Sequence, residues 1–352
     1  MITVPFQPDT FRQQMKPLVS MAHLSLEYEN IESSVVKTAT SLSERLGADT
    51  YEQIAACAIT PPAGKGAGTK ELALDMLRRA ILHFALYEHV IYTIANMTND
   101  GITVTKSDDK TTIYKYQQDQ LEEKLLQDAW FWLNRLISLL NDHTDIFTAW
   151  AESKERLQML ALPVTLADFE RCVGVSDPAF LLFAGWIVRE VWREEVLSRF
   201  VHERLVDELT DAEGCTLTLK NHLACGVLLE VVEGYRDYMK RLQCIDMTER
   251  DVRTITDTAV QAVCYDTMAR ACRRLAYHAL PSPIRIDINN EMGKNHAAQA
   301  DTMVREQVAR LFADKAAAYW HTVDQQLKRY EQALAMSYPD PKPITEKQKF
   351  AL

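Results

Sequence analysis

The sequence predicts a mainly α fold of two related multi-helix units, each with a short β-hairpin or strand element. Three observations lead there. Only 11 glycines and 12 prolines punctuate the 352 residues, and they cluster, leaving stretches long enough for helices of many turns. Within those stretches apolar residues recur every three or four positions. One order of elements (long amphipathic helices, a short extended run, a long helix ending in aromatics) occurs from Lys70 to Trp150 and again from Asn221 to Tyr330. The expected organisation is an N-terminal helical unit with a β-hairpin over 1–155, a C-terminal helical unit over 163–336, and a flexible tail over 337–352.

In chain order, Ile31 to Ile54 reads as the first helix. Ala58 to Thr69 reads as a surface loop, because its prolines and glycines can neither continue a helix nor pack a core. From Lys70 to Met97, Leu74, Leu77, Ile81, Phe84, Tyr87, Ile91 and Ile94 form one stripe on a helix of about seven turns. Asn99, Asp100 and Gly101 tolerate the left-handed backbone that stops it. Gly101 to Tyr116 then reads as a β-hairpin. Ile102 and Val104 alternate with polar neighbours, Ser107 to Lys110 form a polar tip, and Ile113, Tyr114 and Tyr116 lie on the return. A second long helix covers Gln118 to Asn141 and carries Trp130, Phe131 and Trp132.

The second half repeats this order after Leu162 and Pro163. A short helix and turn cover Thr165 to Ser176, and long helices follow over Pro178 to Leu209, Leu219 to Leu242 and Thr248 to His278, with Thr248 and Asp251 at an N-terminus. Ile284, Ile286 and Ile288 alternate with Arg285 and Asp287 as the extended element, and a last helix spans His296 to Met336. Tyr338 to Leu352 is too proline-rich and charged for helix, so it is a frayed end or an arm that orders on a partner.

The apolar content of 47% and charged content of 25% are those of a folding globular chain. A net charge of -10 disfavours the broad phosphate contact of nucleic-acid binders. No window approaches the roughly 20 apolar residues that span a bilayer, so no membrane is expected and the location is cytoplasmic. Seven scattered cysteines, odd in number and mostly within apolar runs, fit reduced buried thiols.

Catalytic patterns fail on spacing. Gly64 to Lys70 has Lys and Thr in the wrong order for a phosphate-binding loop, and no strand precedes it. There is no Cys-x-x-Cys or His-Glu-x-x-His; His83 and His89 are six apart and cannot serve one metal from one helix face. Glu122 with Glu123, Glu194 with Glu195, and Asp108 with Asp109 are adjacent and expected to point apart as solvated faces. No catalytic, cofactor-binding or metal residue is assigned, and no cofactor or small-molecule substrate is expected. The aromatics at Trp130 to Trp132 are core or subunit contact: three consecutive side chains sweep most of the way round a helix, so they cannot all enter one narrow core.

One resemblance rests on the helix from Ala80, the strand Gly101 to Val104, the Tyr114-Lys115-Tyr116-Gln117 run, the following long helix, and the terminal Phe147 and Trp150. Together these resemble a group of uncharacterised proteins from phages and prophages of Bacteroidales. Members typically lie among head and tail genes and are thought to be head-tail connector or other virion-assembly proteins. The resemblance implies a non-enzymatic assembly protein, in the host cytoplasm or the virion, whose partners are itself and other virion proteins. Its contact would use Ile102, Val104, Ile113, Tyr114, Tyr116, Trp130 and Trp132. The alternative is a helical enzyme or small-ligand-binding protein with a site between helices.

Overall fold

The computed structural model describes residues 2–19, 26–64, 66–98, 101–104, 115–200, 232–237, 247–295 and 302–337, and these are mainly helical. The helices are α1 (Phe11–Met15), α2 (Tyr28–Leu46), α3 (Ala48–Ala55), α4 (Ala67–Ile94), α5 (Lys115–Asp142), α6 (Thr148–Ala151), α7 (Lys154–Leu160), α8 (Leu166–Val173), α9 (Pro178–Val191), α10 (Leu197–Phe200), α11 (Glu249–Arg274), α12 (Ser282–Asn295) and α13 (Thr302–Ser337). Strands β1 (Ala95–Thr98) and β2 (Gly101–Val104) pair antiparallel. A π-helical turn, Trp192–Val196, interrupts the run from α9 to α10.

The chain divides into two compact units that are not its two halves. Unit 1 comprises Met1–Leu160, Val175–Gly185 and Leu275–Val304; unit 2 comprises Ala161–Gly174, Trp186–Arg274 and Arg305–Leu352. The chain leaves unit 1 after Leu160 and re-enters it twice.

In unit 1, α4 packs against both α2 and α5. The three helices fill one core with Ile31, Val35 and Leu46 of α2, Leu77 and Ile81 of α4, and Leu126, Leu136 and Leu140 of α5, each sealed from solvent. Burying each such side chain stabilises the fold by about 1.5–3 kcal/mol before entropy is counted. The first predicted helix is broken at Gly47, whose φ of 84° turns α2 into α3. A Cβ there would lie 2.7 Å from the Glu155 carboxylate.

In unit 2, α8 packs on α11. It begins at a capping box in which Thr165 and Asp168 satisfy each other's backbone amides, and it ends at Gly174 in the left-handed region. Thr248 and Asp251 make the same reciprocal arrangement at the start of α11.

Two β expectations are corrected. The strand Gly101–Val104 pairs backwards, Ala95 with Val104 and Thr98 with Gly101, and not forwards across a Ser107 to Lys110 tip. Only Asn99 and Asp100, which lie outside the described residues, stand between the two strands in the sequence. The predicted helix to Met97 accordingly ends at Ile94, and Tyr116 falls in the first turn of α5, while 105–114, including Ile113 and Tyr114, lie outside the described residues.

The extended element predicted at Ile284 to Ile288 is helix α12. Ser282 and Pro283 suit a helix start, and Ile284, Arg285 and Ile288 are buried while Ile286 is exposed, which is the helical spacing and not alternation. The predicted helices over 201–231 and 238–246, and the 338–352 tail, lie outside the described residues, as does the start of the last helix at His296.

Candidate functional site

Three places in the fold gather chemistry. The first is the aromatic run of α5. Trp130 points inward at 2% exposure, with its indole N–H donating to the His278 carbonyl at 2.9 Å and its ring 5.3 Å from Phe183. Phe131 points outward at 50% exposure and meets the half-buried Trp132 edge to face at 5.0 Å. Arg79 lies 4.6 Å over the Trp132 ring and Arg135 5.5 Å over Phe131. The run thus splits into one core anchor and an outward pair flanked by guanidinium groups. Of the other predicted contact residues, Ile102 and Val104 are in β2 and Tyr116 is in α5.

The second is a cavity of about 130 Å³ in unit 1. Helix α2 contributes Lys37, Thr38, Ser41 and Leu42; α4 contributes Phe84, Tyr87 and Glu88; Phe183 and His278 complete it. Lys37 Nζ sits 3.0 Å from Glu88 Oε1, the lysine well exposed and the glutamate mostly covered. Burial pushes the Tyr87 hydroxyl up to about 12, reinforced by the Glu122 carboxylate. Burial lowers the His278 pKa against the pull of Glu88 and so favours the neutral ring.

Close by, the fully buried Arg285 donates to Glu123 at 3.2 Å and to the Leu280 carbonyl, and Tyr277 donates to the other Glu123 oxygen at 3.1 Å. Sequence reasoning singled out none of the cavity residues as a site. The cavity exists only because His278 and Phe183 arrive from segments far along the chain.

The third is a charge cluster in unit 2. Arg270 is mostly buried and donates to Asp266 at 3.1 Å, to Glu190 at 2.8 Å, to Glu194, and to Glu195 at 3.5 Å. Arg274 grips Glu190 at 2.6 Å, and Arg199 joins Glu195 at 2.6 Å to Asp324 at 2.8 Å. Adjacent Glu194 and Glu195 were expected to point apart; both reach Arg270 from the π turn, where an extra residue widens the helix locally. Burial alone would lower the Arg270 pKa, but hydrogen bonds from its guanidinium to Asp266 and Glu194 outweigh it, and the group is held charged. Burial raises the Asp266 carboxyl against the pull of Arg270, whereas the hydrogen bond from Arg274 holds Glu190 below the usual carboxylate range. These carboxylates neutralise arginines and are not poised as an acid and base pair.

Among the described residues no group of three or more His, Cys, Asp or Glu could hold a metal ion, and no single helix is long and apolar enough to cross a membrane.

No curated protein and no solved structure matches this chain. A family model described as a family of unknown function, DUF6712, matches residues 38–157 and again 226–350. Two matches to one model are consistent with an internal repeat, and they cover more than half of the sequence, so the chain belongs to the DUF6712 family.

Proposed function

We propose that this is a non-enzymatic assembly protein, phage- or prophage-derived and of the head-tail connector kind, that works by docking onto copies of itself or other virion proteins. The observation carrying this reading is the outward aromatic pair of α5: Phe131 held half in water against Trp132, with Arg79 and Arg135 beside the two rings. Aromatic and arginine side chains dominate the energy of protein interfaces, and a phenyl ring left in water has no role in its own core. The resemblance to phage proteins supplies the class of partner. Phe131→Glu places a charge at this point without disturbing the interior. It is expected to weaken self-association or co-assembly with portal and tail-adaptor proteins by about 30-fold or more, read by sedimentation velocity over a concentration series. Unchanged association of a variant with unchanged helicity would refute the reading.

The unit 1 cavity favours a second reading, a small-ligand-binding protein. A space of about 130 Å³ with an apolar lining of Leu42, Phe84 and Phe183 and one largely covered carboxylate, Glu88, matches a single-ring aromatic amine. Such a ligand would stack on the rings and take Glu88 from Lys37. Benzylamine is expected to raise the thermal midpoint of the native chain and to lose that effect in Glu88→Gln; no shift in the native chain at millimolar benzylamine would remove this reading.

A further inference from the structure

The solvent side of α5 carries more than the aromatic pair. Lys124, Gln127, Phe131, Arg135 and Ser138 are all exposed and follow one another at steps of three, four, four and three, so they form one row along the helix. That series of steps reads the same in both directions from Phe131. A two-fold axis beside Phe131 would therefore lay the row of one copy directly along the row of another, with position 124 facing 138 and 127 facing 135.

The charges match in that arrangement. Arg135 lies 5.5 Å over the Phe131 ring and, among the described residues, makes no ion pair. Asp128 gives one carboxylate oxygen to Lys124 at 2.7 Å, its other oxygen is 4.0 Å from His83 Nε2, and its side chain keeps 34% of its exposure. On a helix of 3.6 residues per turn Asp128 and Arg135 fall on the same side of the row, one before Phe131 and one after it, roughly 10 Å apart along the axis. That separation keeps them from meeting within one chain. In an antiparallel pair of α5 helices the two change ends, and each comes level with its opposite on the other copy. A parallel pair would set Arg135 against Arg135 and Asp128 against Asp128, which is repulsive at both points.

We propose that the partner seated on this face is a second copy of the chain, its α5 lying antiparallel to the first with the two-fold axis beside Phe131. This rests on the docking reading above and fixes its partner. The two Phe131 rings meet at the centre and leave water together, while an Arg135 to Asp128 pair closes each end. The contact is isologous and closes at two copies.

The test uses the full chain and sedimentation velocity over a concentration series. Arg135→Asp and Asp128→Arg should each weaken self-association by about tenfold or more, because one substitution creates two like-charge contacts in the dimer. An equimolar mixture of the two variants should regain it, since both ends of the mixed dimer then carry opposite charges. Circular dichroism checks that Asp128→Arg, which also loses its contact with Lys124, keeps its helices.

A second measurement leaves Asp128 in place. Lys124→Cys and Ser138→Cys chains are mixed, oxidised and mapped by mass spectrometry; helices packed about 8–10 Å apart bring facing positions within disulfide reach. The expected product joins position 124 of one chain to position 138 of the other. The inference is overturned by 124 to 124 and 138 to 138 products, by no cross-link at either position, by a mixture of charge variants that stays apart, or by a native chain that remains monomeric. A monomer that still binds portal or tail-adaptor protein through Phe131 leaves the docking reading standing, whereas a chain that does neither removes both.

Discussion

Arg270→Met is expected to cost unit 2 about 3–5 kcal/mol in urea denaturation at pH 7, more than any surface substitution in the molecule. The loss comes less from the ion pairs removed than from what stays behind. Asp266 is itself mostly buried, and Glu190, Glu194 and Glu195 converge on the same guanidinium. With the cation gone, four carboxylates face one another in a partly dry site. Acid should relieve the defect. Burial already raises the folded-state pKa of Asp266 above its usual value, so protonation favours the fold, and its penalty shrinks as pH falls through that raised value. In the native protein Glu190 behaves oppositely. Its depressed pKa contributes stability above the unfolded value, and this is lost on acidification. The gap between variant and native protein should therefore narrow from pH 7 to pH 4. A cost below about 1 kcal/mol at pH 7 would show that the cluster behaves as exposed pairs do.

Trp130→Ala is expected to cost a similar 3–5 kcal/mol in unit 1, where the adjacent Phe131→Ala costs about 0.5 kcal/mol or less. Trp130 is almost fully buried and loses three things together: its area, its contact with Phe183, and its hydrogen bond to the His278 carbonyl. Trp130→Phe keeps most of the volume and removes the indole donor, so its cost should fall between the two and report the orphaned carbonyl. Chemical denaturation of the three variants decides the matter. Equal costs at positions 130 and 131 would contradict the split between core anchor and outward ring.

What was legible in the sequence was local. The stripe Leu74, Leu77 and Ile81 fixes the buried face of α4, and the Thr165 and Asp168 pair announces the start of α8. The Ile284, Ile286, Ile288 series was not decidable, since three β-branched residues two apart suit a strand as well as a helix whose middle residue faces water. Burial of Arg285 against Glu123, from a helix more than a hundred residues earlier, settles it. The aromatic run could be read as unable to enter one core, though not as to which ring stays out. The cavity was invisible because its wall is completed by His278, a lone histidine in sequence. The convergence of Glu194 and Glu195 occurs in a π turn, which has no composition of its own.

The interleaving of the two units carries a consequence for how the molecule is made. During synthesis the ribosome delivers α2, α4 and α5 early, yet two side chains of α5 have partners that emerge much later. Trp130 waits for the carbonyl of His278, and Glu123 waits for Arg285. Unit 1 closes only once Leu275–Val304 has been translated, after the intervening unit 2 segments have already been released. A nascent chain that ends before Leu275 therefore lacks the groups that Trp130 and Glu123 bond in the finished fold.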